Sequence, residues 1–246
     1  SEMCIRDRNK TEELQRIIAG RDKLYSVIAH DLRSPMGSIK MVLNMLMLNL
    51  PVEKIGGEMY ELLTMANRTT EDAFSLLDNL LKWTKSQIGN LNVVYQDVDA
   101  VEVVDSVIDV FNMVAGLKKI TIREEKPEKL PVCTDIDMLK TIIRNLLSNA
   151  IKFSNENSEV LVKMEEQGDT VVVSVKDSGC GIDEEGQQKL LHTDTHFSTF
   201  GTNNEEGSGL GLLLCQDFAV KIGGKLWFTS KEGEGSTFYF SIPLKK

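Results

Sequence analysis

Two long amphipathic patterns occupy the first third of this 246-residue chain. In each, residues on one face recur at steps of three and four, which predicts a helix with a single apolar stripe. Pro51 and Gly56-Gly57 predict a break between them. The stripe positions are Leu24, Ile28, Leu32, Met36, Ile39, Leu43, Leu46 and Leu50 in the first helix, and Met59, Leu62, Ala66, Ala73, Leu77, Leu80 and Thr84 in the second. Such a hairpin cannot bury its own stripe, so we expect a second copy of the chain to complete a four-helix bundle.

One of only three histidines, His30, lies in the first of these helices. At roughly 100° per residue it points away from the apolar stripe, where a large partner could reach its imidazole. Asp31 could accept the ring proton and hold the tautomer whose other nitrogen is nucleophilic. Ser34 lies one turn further on the same face, and Pro35 predicts a bend in the helix. Each residue has an alternative interpretation: His30 could be hydrogen-bonded within a core, and Asp31 could be an ordinary solvated acid. These alternatives stay open until the chain also offers a site for a phosphoryl donor.

Composition bounds the class of protein. Lys and Arg number 28 against 37 Asp and Glu, a net charge of -9, which argues against nucleic acid or anionic lipid as a partner. The most apolar run, residues 41–50, is too short to span a bilayer, and the first residues do not form a secretory signal. Free thiols in a reducing compartment are expected, because the four cysteines stand far apart: Cys4, Cys133, Cys180 and Cys215.

The pattern changes after about residue 92 to short strands mixed with helices. This order predicts a two-layer α/β sandwich that follows the all-α hairpin, hence a multi-domain chain. We expect three parts: 1–20 as an incoming coil or residues foreign to the natural chain, 21–92 as the dimerising hairpin, and 93–246 as the sandwich. Helices are predicted near 100–115, 136–152 (after the N-cap Asp135) and 210–222, strands near 120–122, 159–166, 170–177, 225–230 and 236–242, and a loop-rich stretch between residue 177 and Gly207.

Three side chains of the predicted 136–152 helix share a wedge beside its apolar face. They are Asn145, Asn149 and Lys152. Asparagine is a poor residue for the middle of a helix, so two of them one turn apart, followed by a cation, favour a ligand. Amide oxygens suit a Mg²⁺ ion that keeps several waters, and the lysine suits phosphate. An ordinary solvated face is the alternative for this wedge taken alone.

A carboxylate follows the strand at 170–177. Asp177 continues the face of Val171, Val173 and Val175, which predicts that it is at least half-buried. A buried carboxylate needs a donor, and the exocyclic amine of adenine would satisfy it. The Ser-Gly-Cys-Gly turn that follows would let a flat base approach the backbone. A simple Asp-Ser-Gly turn is the alternative.

A glycine-rich segment, Gly207-Ser-Gly-Leu-Gly-Leu, opens the helix predicted at 210. Backbone amides and the positive end of a helix dipole would meet there and form a phosphate cradle. The segment is not a P-loop, because Gly-Lys-Ser/Thr is missing, nor a dinucleotide fingerprint, because the third glycine is misplaced.

Four motifs occur in a fixed order: His-Asp-Leu-Arg-Ser-Pro, Asn-Leu-Leu-Ser-Asn-Ala-Ile-Lys-Phe, Asp-Ser-Gly-Cys-Gly-Ile and Gly-Ser-Gly-Leu-Gly-Leu. Together they resemble those of the sensor histidine kinases of bacterial two-component systems, from about residue 20 onward. The resemblance implies a homodimeric phosphoacceptor hairpin and a Bergerat-type ATP-binding domain like that of DNA gyrase. It implies that ATP and Mg²⁺ are bound, that the γ-phosphoryl group passes to His30 and then to an aspartate of a response regulator receiver domain, and that the fragment binds neither nucleic acid nor membrane. The implied location is the cytoplasm, as part of a larger soluble or membrane-anchored sensor.

The resemblance also assigns roles to single residues. His30 would be the phosphoacceptor, assisted by Asp31, and Asn149 would hold Mg²⁺ with Asn145 beside it. Residues 184–206 would form a mobile lid, and residues 88–98 a hinge. The other implied nucleotide contacts are Lys152 and Phe153 near phosphate and nucleotide, Asp177 and Ser236 at the adenine amine, Gly179 and Gly181 at the base, and Gly207, Gly209, Leu210, Gly211 and Leu212 at the phosphates.

The chain departs from the family pattern at two positions. Ser34 stands where these kinases usually carry the Thr or Asn that positions water for dephosphorylation of the regulator. Phe200 stands where many carry a lysine that reaches the triphosphate. His192 and His196 could partly substitute for that cation, but we expect them to be ordinary polar residues of the lid. The first departure predicts weak phosphatase activity and the second slower phosphoryl transfer. The competing interpretations are a nucleotide-binding signalling scaffold with weak or no kinase activity, a phosphatase of the response regulator, and a gyrase-type clamp.

Overall fold

The computed structural model describes residues 31–49, 56–87, 92–191, 202 and 210–244. The chain divides into two compact units, Ser1–Asn92 and Val93–Lys246. His30 and Cys4 lie outside the described residues.

The first unit contains two helices, α1 at residues 31–49 and α2 at Gly57–Gln87. An ion pair joins Arg33 to Asp78, and another joins Lys40 to Glu71 with 3.5 Å between their charged atoms. The residue that is higher in number on α1 pairs with the one that is lower in number on α2, so the two helices run antiparallel. The described residues thus show two antiparallel helices of the predicted hairpin.

The second unit is built around a five-stranded mixed sheet in the order β2-β4-β5-β7-β6. Its strands are β2 (Thr121–Glu125), β4 (Glu159–Gln167), β5 (Thr170–Lys176), β6 (Leu226–Lys231) and β7 (Gly235–Pro243). The β2/β4 pair is parallel and the other pairs are antiparallel. Gly168, with φ of 63°, lies in the hairpin turn between β4 and β5.

Three helices pack against this sheet and bury its apolar side, and they are α3 (Ala100–Leu117), α4 (Ile136–Phe153) and α6 (Leu210–Lys221). A short helix, α5 (Glu184–Leu191), lies between α4 and α6 in the sequence. Helix α4 lies between α3 and α6 and contributes the most deeply buried side chains. Its predicted apolar face is confirmed, since these residues are nearly inaccessible: Leu139, Ile142, Ile143, Leu146, Leu147 and Ala150. Helices on a mixed sheet make this unit an α/β sandwich of the kind that the sequence predicts.

Three elements were not predicted. Strands β1 (Gln96–Asp99) and β3 (Pro131–Thr134) form a separate two-stranded antiparallel sheet. Both are four residues long and lack regular apolar alternation, so they depend on each other rather than on a local pattern. Helix α5 occupies the start of what we predicted as a loop and as a lid. It begins after Asp183, whose Oδ1 accepts a bond of 2.9 Å from the Gly186 N–H.

Two short contacts hold the segment that enters the second unit. The Val94 N–H donates to Oδ2 of Asp135, at 2.9 Å, while Oδ1 of the same carboxylate caps α4 through Met138 N–H. The hydroxyl of Tyr95 donates to the carbonyl of Lys221 at the end of α6. With β1 paired as well, residues 94–98 are fixed within the second unit, so the predicted hinge at 88–98 is wrong for that half of its range.

Two expectations, one about the cysteine thiols and one about membrane-spanning helices, can be compared with the described residues. Cys133, Cys180 and Cys215 are not in disulfide bonds, as predicted. Burial raises the pKa of the Cys215 thiol, which makes it unreactive. None of the helices in the described ranges combines the length and the hydropathy that a bilayer span requires.

Candidate nucleotide-binding site

Asp177, directly after β5, is almost completely buried, with 4% of its surface exposed. Its Oδ1 accepts hydrogen bonds from the N–H groups of Gly179, at 2.9 Å, and Ser236, at 3.2 Å. Its own N–H donates to the carbonyl of Ser236 at 2.9 Å. Among the described residues no group donates to Oδ2. One carboxylate oxygen therefore holds the turn together, and the other keeps its acceptor capacity for a ligand.

The electrostatics of this carboxylate follow from its burial. Desolvation raises the pKa of Asp177 above its usual value, and the backbone N–H groups of Gly179 and Ser236 offset part of that rise. An ionised carboxylate in such a place is stabilised by a further donor, which a ligand amine can supply.

The two glycines of the turn allow close packing of the protein's own backbone. A Cβ at Gly179 would lie 2.1 Å from the carbonyl oxygen of Phe153, and one at Gly181 would lie 2.0 Å from that of Lys231. Gly181 also has a φ of +66°. We predicted these glycines as a surface for a flat base; their first requirement is instead contact with the end of α4 and with β6.

Ser236, which we predicted to assist at the adenine, is buried and bonded to Asp177 through its backbone. Its hydroxyl is 2.9 Å from that of Ser230 on β6. The Ser230 hydroxyl oxygen also accepts a bond from the Ile182 N–H, at 2.9 Å. Ser230 thus joins the turn to the β6–β7 pair. Sequence reasoning missed it, because a serine on an exposed-looking strand carries no distinguishing pattern.

The wedge on α4 is present as predicted, with its three side chains half-buried. The Asn145 amide donates to the carbonyl of Thr141 at 2.9 Å, so this asparagine bonds its own helix. The side chain of Asn149 has no hydrogen-bond partner among the described residues. The ammonium of Lys152 lies 5.0 Å from the ring centroid of Phe153, at cation–π distance.

Helix α6 meets α4 at a point of very close approach. A Cβ at Gly211 would lie 2.8 Å from Oδ1 of Asn145. Leu210 is buried and Leu212 half-buried, so both are packing residues in addition to their predicted role at the phosphates. Gly207 and Gly209 lie outside the described residues.

A buried lysine that we did not predict lies behind this wedge. The Nζ of Lys118 donates to the carbonyls of Ile151 and Lys152, at 3.0 and 2.8 Å, and to the hydroxyl of Thr202, at 2.6 Å. The hydroxyl of Thr202 is also 2.8 Å from the carbonyl of Ser154. The only sequence signal was a basic residue at the end of a helix, which is too common to single out.

The predicted phosphoacceptor region belongs to the first unit. Asp31 and Ser34 are exposed residues of α1, and the Ser34 carbonyl accepts a bond from the Ser38 hydroxyl at 3.2 Å. His30 lies outside the described residues, as do His192, His196 and Phe200.

Residues 134–246 match the family model described as histidine kinase-, DNA gyrase B-, and HSP90-like ATPase. The chain is also 31% identical, over 241 residues, to the adaptive-response sensory kinase SasA of the cyanobacterium Prochlorococcus marinus. The chain therefore contains an ATPase domain of this family and is homologous to SasA and other sensor histidine kinases. The match covers 96% of this chain and 61% of SasA, so the chain spans less than two thirds of the length of this curated relative.

Solved structures have the same fold. The catalytic domain of histidine kinase ThkA is 31% identical, with a TM-score of 0.54, and the match covers 61% of this chain and 96% of that one. Full-length ShkA in complex with AMPPNP is 21% identical with a TM-score of 0.67, over 91% of this chain and 46% of that one. The second similarity bears on the fold alone. The α/β unit of the chain is thus of the histidine kinase ATPase type, as the sequence motifs predict.

Proposed function

We propose that this kinase transfers the γ-phosphoryl group of ATP to His30 and then to an aspartate on the receiver domain of a response regulator. The observation that carries the proposal is that one chain contains both parts. Its ATPase-family domain has a buried carboxylate with one open oxygen, Asp177. The match to SasA covers 96% of the chain and leaves out only about ten residues, so it includes His30 and Asp31.

Asp177 is the proposed specificity contact for adenine. Its Oδ1 is held by the N–H groups of Gly179 and Ser236, so Oδ2 is fixed in place before a ligand arrives. A carboxylate oxygen accepts from the exocyclic amine of adenine, whereas guanine presents a carbonyl at the equivalent position and would be repelled. The preorganised acceptor supports ATP rather than GTP as the phosphoryl donor.

The phosphates and magnesium are assigned to the side chains that project from the last turns of α4. The half-buried amide of Asn149 has an unengaged oxygen in the part of the chain that the structure describes, and it fits a cation that keeps most of its water shell. The donor set excludes a tightly caged metal, because no cluster of three His, Cys, Asp or Glu side chains occurs among the described residues. When bound there, Mg²⁺ would neutralise charge on the phosphates. Lys152 would add a second positive charge, with Gly207, Gly209, Leu210, Gly211 and Leu212 providing backbone N–H groups.

In the first transfer, a neutral ring nitrogen of His30 attacks the γ-phosphorus. The new N–P bond forms as the bond to the bridging oxygen breaks, and ADP leaves with that electron pair. Asp31 accepts the proton of the other ring nitrogen. In the second transfer the phosphoryl group moves from nitrogen to a carboxylate oxygen of the regulator. Both phosphoryl acceptors are proteins, so the proposed partners are a second copy of the hairpin and the receiver domain of a response regulator. We propose no contact with nucleic acid or membrane for this fragment, and the cytoplasm as its location.

The two transfers require the ATPase domain to approach and leave the hairpin. The contacts of Val94 and Tyr95 make the segment from Val94 onward part of the ATPase domain. The proposed hinge therefore lies before Val94.

The test is labelling with ATP radioactive at the γ-phosphate, because all three histidines of the chain can be replaced in turn. The parent should acquire an acid-labile, alkali-stable label that moves to an added receiver domain. His30→Gln should acquire none and still bind nucleotide. His192→Gln and His196→Gln are the matched controls and should keep the label. Label that persists in His30→Gln would refute the assignment, and ATP binding without label in the parent would favour the scaffold interpretation.

A further inference from the structure

We infer that Lys118 is a positioning residue for nucleotide binding, which acts by holding the end of α4 and Thr202 in one polar junction. The inference rests on the proposed function, since it concerns how that ATP site is kept in shape. The junction consists of Lys118, the carbonyls of Ile151, Lys152 and Ser154, and Thr202.

The first argument is the burial of a full charge. Lys118 follows α3 and has only 8% of its surface exposed. An ammonium in such a place is tolerated only when its protons are bonded. Here three oxygens accept from Nζ at 2.6–3.0 Å, namely those of Ile151, Lys152 and Thr202. A lysine of this kind acts as a cross-link between chain segments rather than as a solvated surface charge.

The second argument concerns which segments it joins. The carbonyls of Ile151 and Lys152 belong to the last turn of α4, where backbone acceptors lack partners within the helix and the dipole favours a cation. The Asn149 and Lys152 side chains that we assign to magnesium and phosphate project from the same turns. Fixing these carbonyls therefore fixes the backbone from which both side chains reach the ligand.

The third argument is that Thr202 bonds to the same end of α4. Its N–H donates to the carbonyl of Lys152 at 3.2 Å, and its hydroxyl is 3.1 Å from that oxygen and 2.8 Å from the carbonyl of Ser154. Lys118 and Thr202 thus share the carbonyl of Lys152, and Lys118 also donates to the Thr202 hydroxyl. The two residues together hold the backbone from which the Lys152 side chain reaches the proposed phosphate.

The experiment uses the full chain and measures binding without turnover, by calorimetry with AMPPNP and Mg²⁺. Lys118→Met keeps the length of the side chain and removes the charge, and we expect the Kd to rise roughly tenfold. Lys119→Met is the matched control, because this neighbouring lysine is exposed, and it should bind like the parent. Thr202→Val, which keeps the shape and removes the hydroxyl, should raise the Kd roughly threefold. The double variant should bind no more weakly than Lys118→Met, because the two residues act through one junction.

A second measurement separates positioning from stability. In autophosphorylation assays the KM for ATP should rise in Thr202→Val while kcat is kept, as for lost ground-state binding. Lower thermal stability with unchanged Kd and KM in the folded variants would overturn the inference, and so would additive effects in the double variant. If Lys118→Met does not fold, an unchanged Kd in Thr202→Val is sufficient to refute it. A parent that binds no AMPPNP would instead refute the proposed function.

Discussion

The hairpin and the ATPase domain treat their apolar residues in opposite ways. In the ATPase domain, side chains such as Leu147 and Phe240 are inaccessible to solvent. In the hairpin, the predicted stripe remains open within one chain: Ile39 is 48% exposed, and Leu32 and Leu46 are also exposed. At roughly 25 cal/mol per Å² of apolar surface, such a stripe represents several kcal/mol that the single chain does not gain. The ATPase domain is therefore expected to fold as a unit by itself, whereas the hairpin needs a partner.

This difference also separates two kinds of function. A domain with a complete core can hold Asp177 and α4 in fixed positions, as specific recognition of a nucleotide requires. A hairpin that depends on a partner couples its own stability to assembly. Variants of the hairpin and variants of the ATPase domain test this difference separately.

The largest effect is expected on the hairpin side. Ile39→Asp places a charge in the predicted stripe and should weaken dimerisation of the chain at least about 100-fold, because an unpaired carboxylate would be buried at the interface. Leu48→Asp is the matched control. Leu48 is 84% exposed and lies nine residues from Ile39, on roughly the opposite side of α1. Analytical ultracentrifugation over a dilution series measures both dissociation constants. Equal effects of the two variants would remove the assignment of the stripe to the dimer interface.

The next effect concerns the ATPase domain. Asp177→Asn keeps the acceptor that Gly179 and Ser236 use but removes the charge, and it should weaken ATP binding by roughly 10- to 100-fold. Dimerisation through the hairpin should not change. Calorimetric titration with a nonhydrolysable ATP analogue measures the affinity, and an affinity equal to that of the parent would show that Asp177 does not contact the base.

The same substitution predicts a change in the pH dependence of stability without nucleotide. Burial raises the pKa of Asp177 in the folded state above its value in the unfolded chain, which is roughly 3.9. The protonated carboxyl group therefore stabilises the folded state, and this contribution is complete when the pH lies below the unfolded pKa. That contribution is lost as the pH rises through the higher folded pKa. Asp177→Asn cannot ionise, so its unfolding free energy relative to the parent should increase as the pH rises from about 4 to 7. Urea denaturation at several pH values measures this, and a parallel pair of curves would contradict it.

The sequence predicted those parts of the fold that have a local pattern. The apolar face of α4, the N-cap Asp135 and the alternation that buries Asp177 all depend on residues close together in the chain. Strands β1 and β3 have no such pattern, because they are defined by pairing with distant segments: they pair with each other, and Val132 of β3 also forms a bridge with Leu244. Helix α5 was missed because Asp183 and the acidic first turn were interpreted as part of a loop.

The same distinction applies to the site. Side chains that carry charge or amides in unusual places, such as Asp177 and Asn149, were recognisable from the sequence alone. Lys118, Ser230 and Thr202 were not, because each gains its importance from bonds to residues at least 33 positions away. The glycines of the turn were noticed for a possible ligand, but the groups that require them, the carbonyls of Phe153 and Lys231, come from other segments.

The smallest effect tests how tightly the ATPase domain is packed, with two helical glycines as a matched pair. Gly211→Ala would bring Cβ to 2.8 Å from Oδ1 of Asn145, so α6 must shift away from α4 or Asn145 must turn. At Gly116, on α3, an added Cβ meets no atom within 4 Å among the described residues. Gly116→Ala should therefore raise the unfolding free energy by about 0.5–1 kcal/mol through helix propensity.

Gly211→Ala should lower the unfolding free energy by about 1 kcal/mol and weaken nucleotide binding several-fold, because overpacking displaces the start of α6. Chemical denaturation and AMPPNP titration of both variants give the signs. A Gly211→Ala variant that is more stable than the parent and binds AMPPNP equally well would contradict this prediction. It would show that α4 and α6 can move apart at little cost, and that the ATPase domain differs less from the hairpin in packing than its buried side chains indicate.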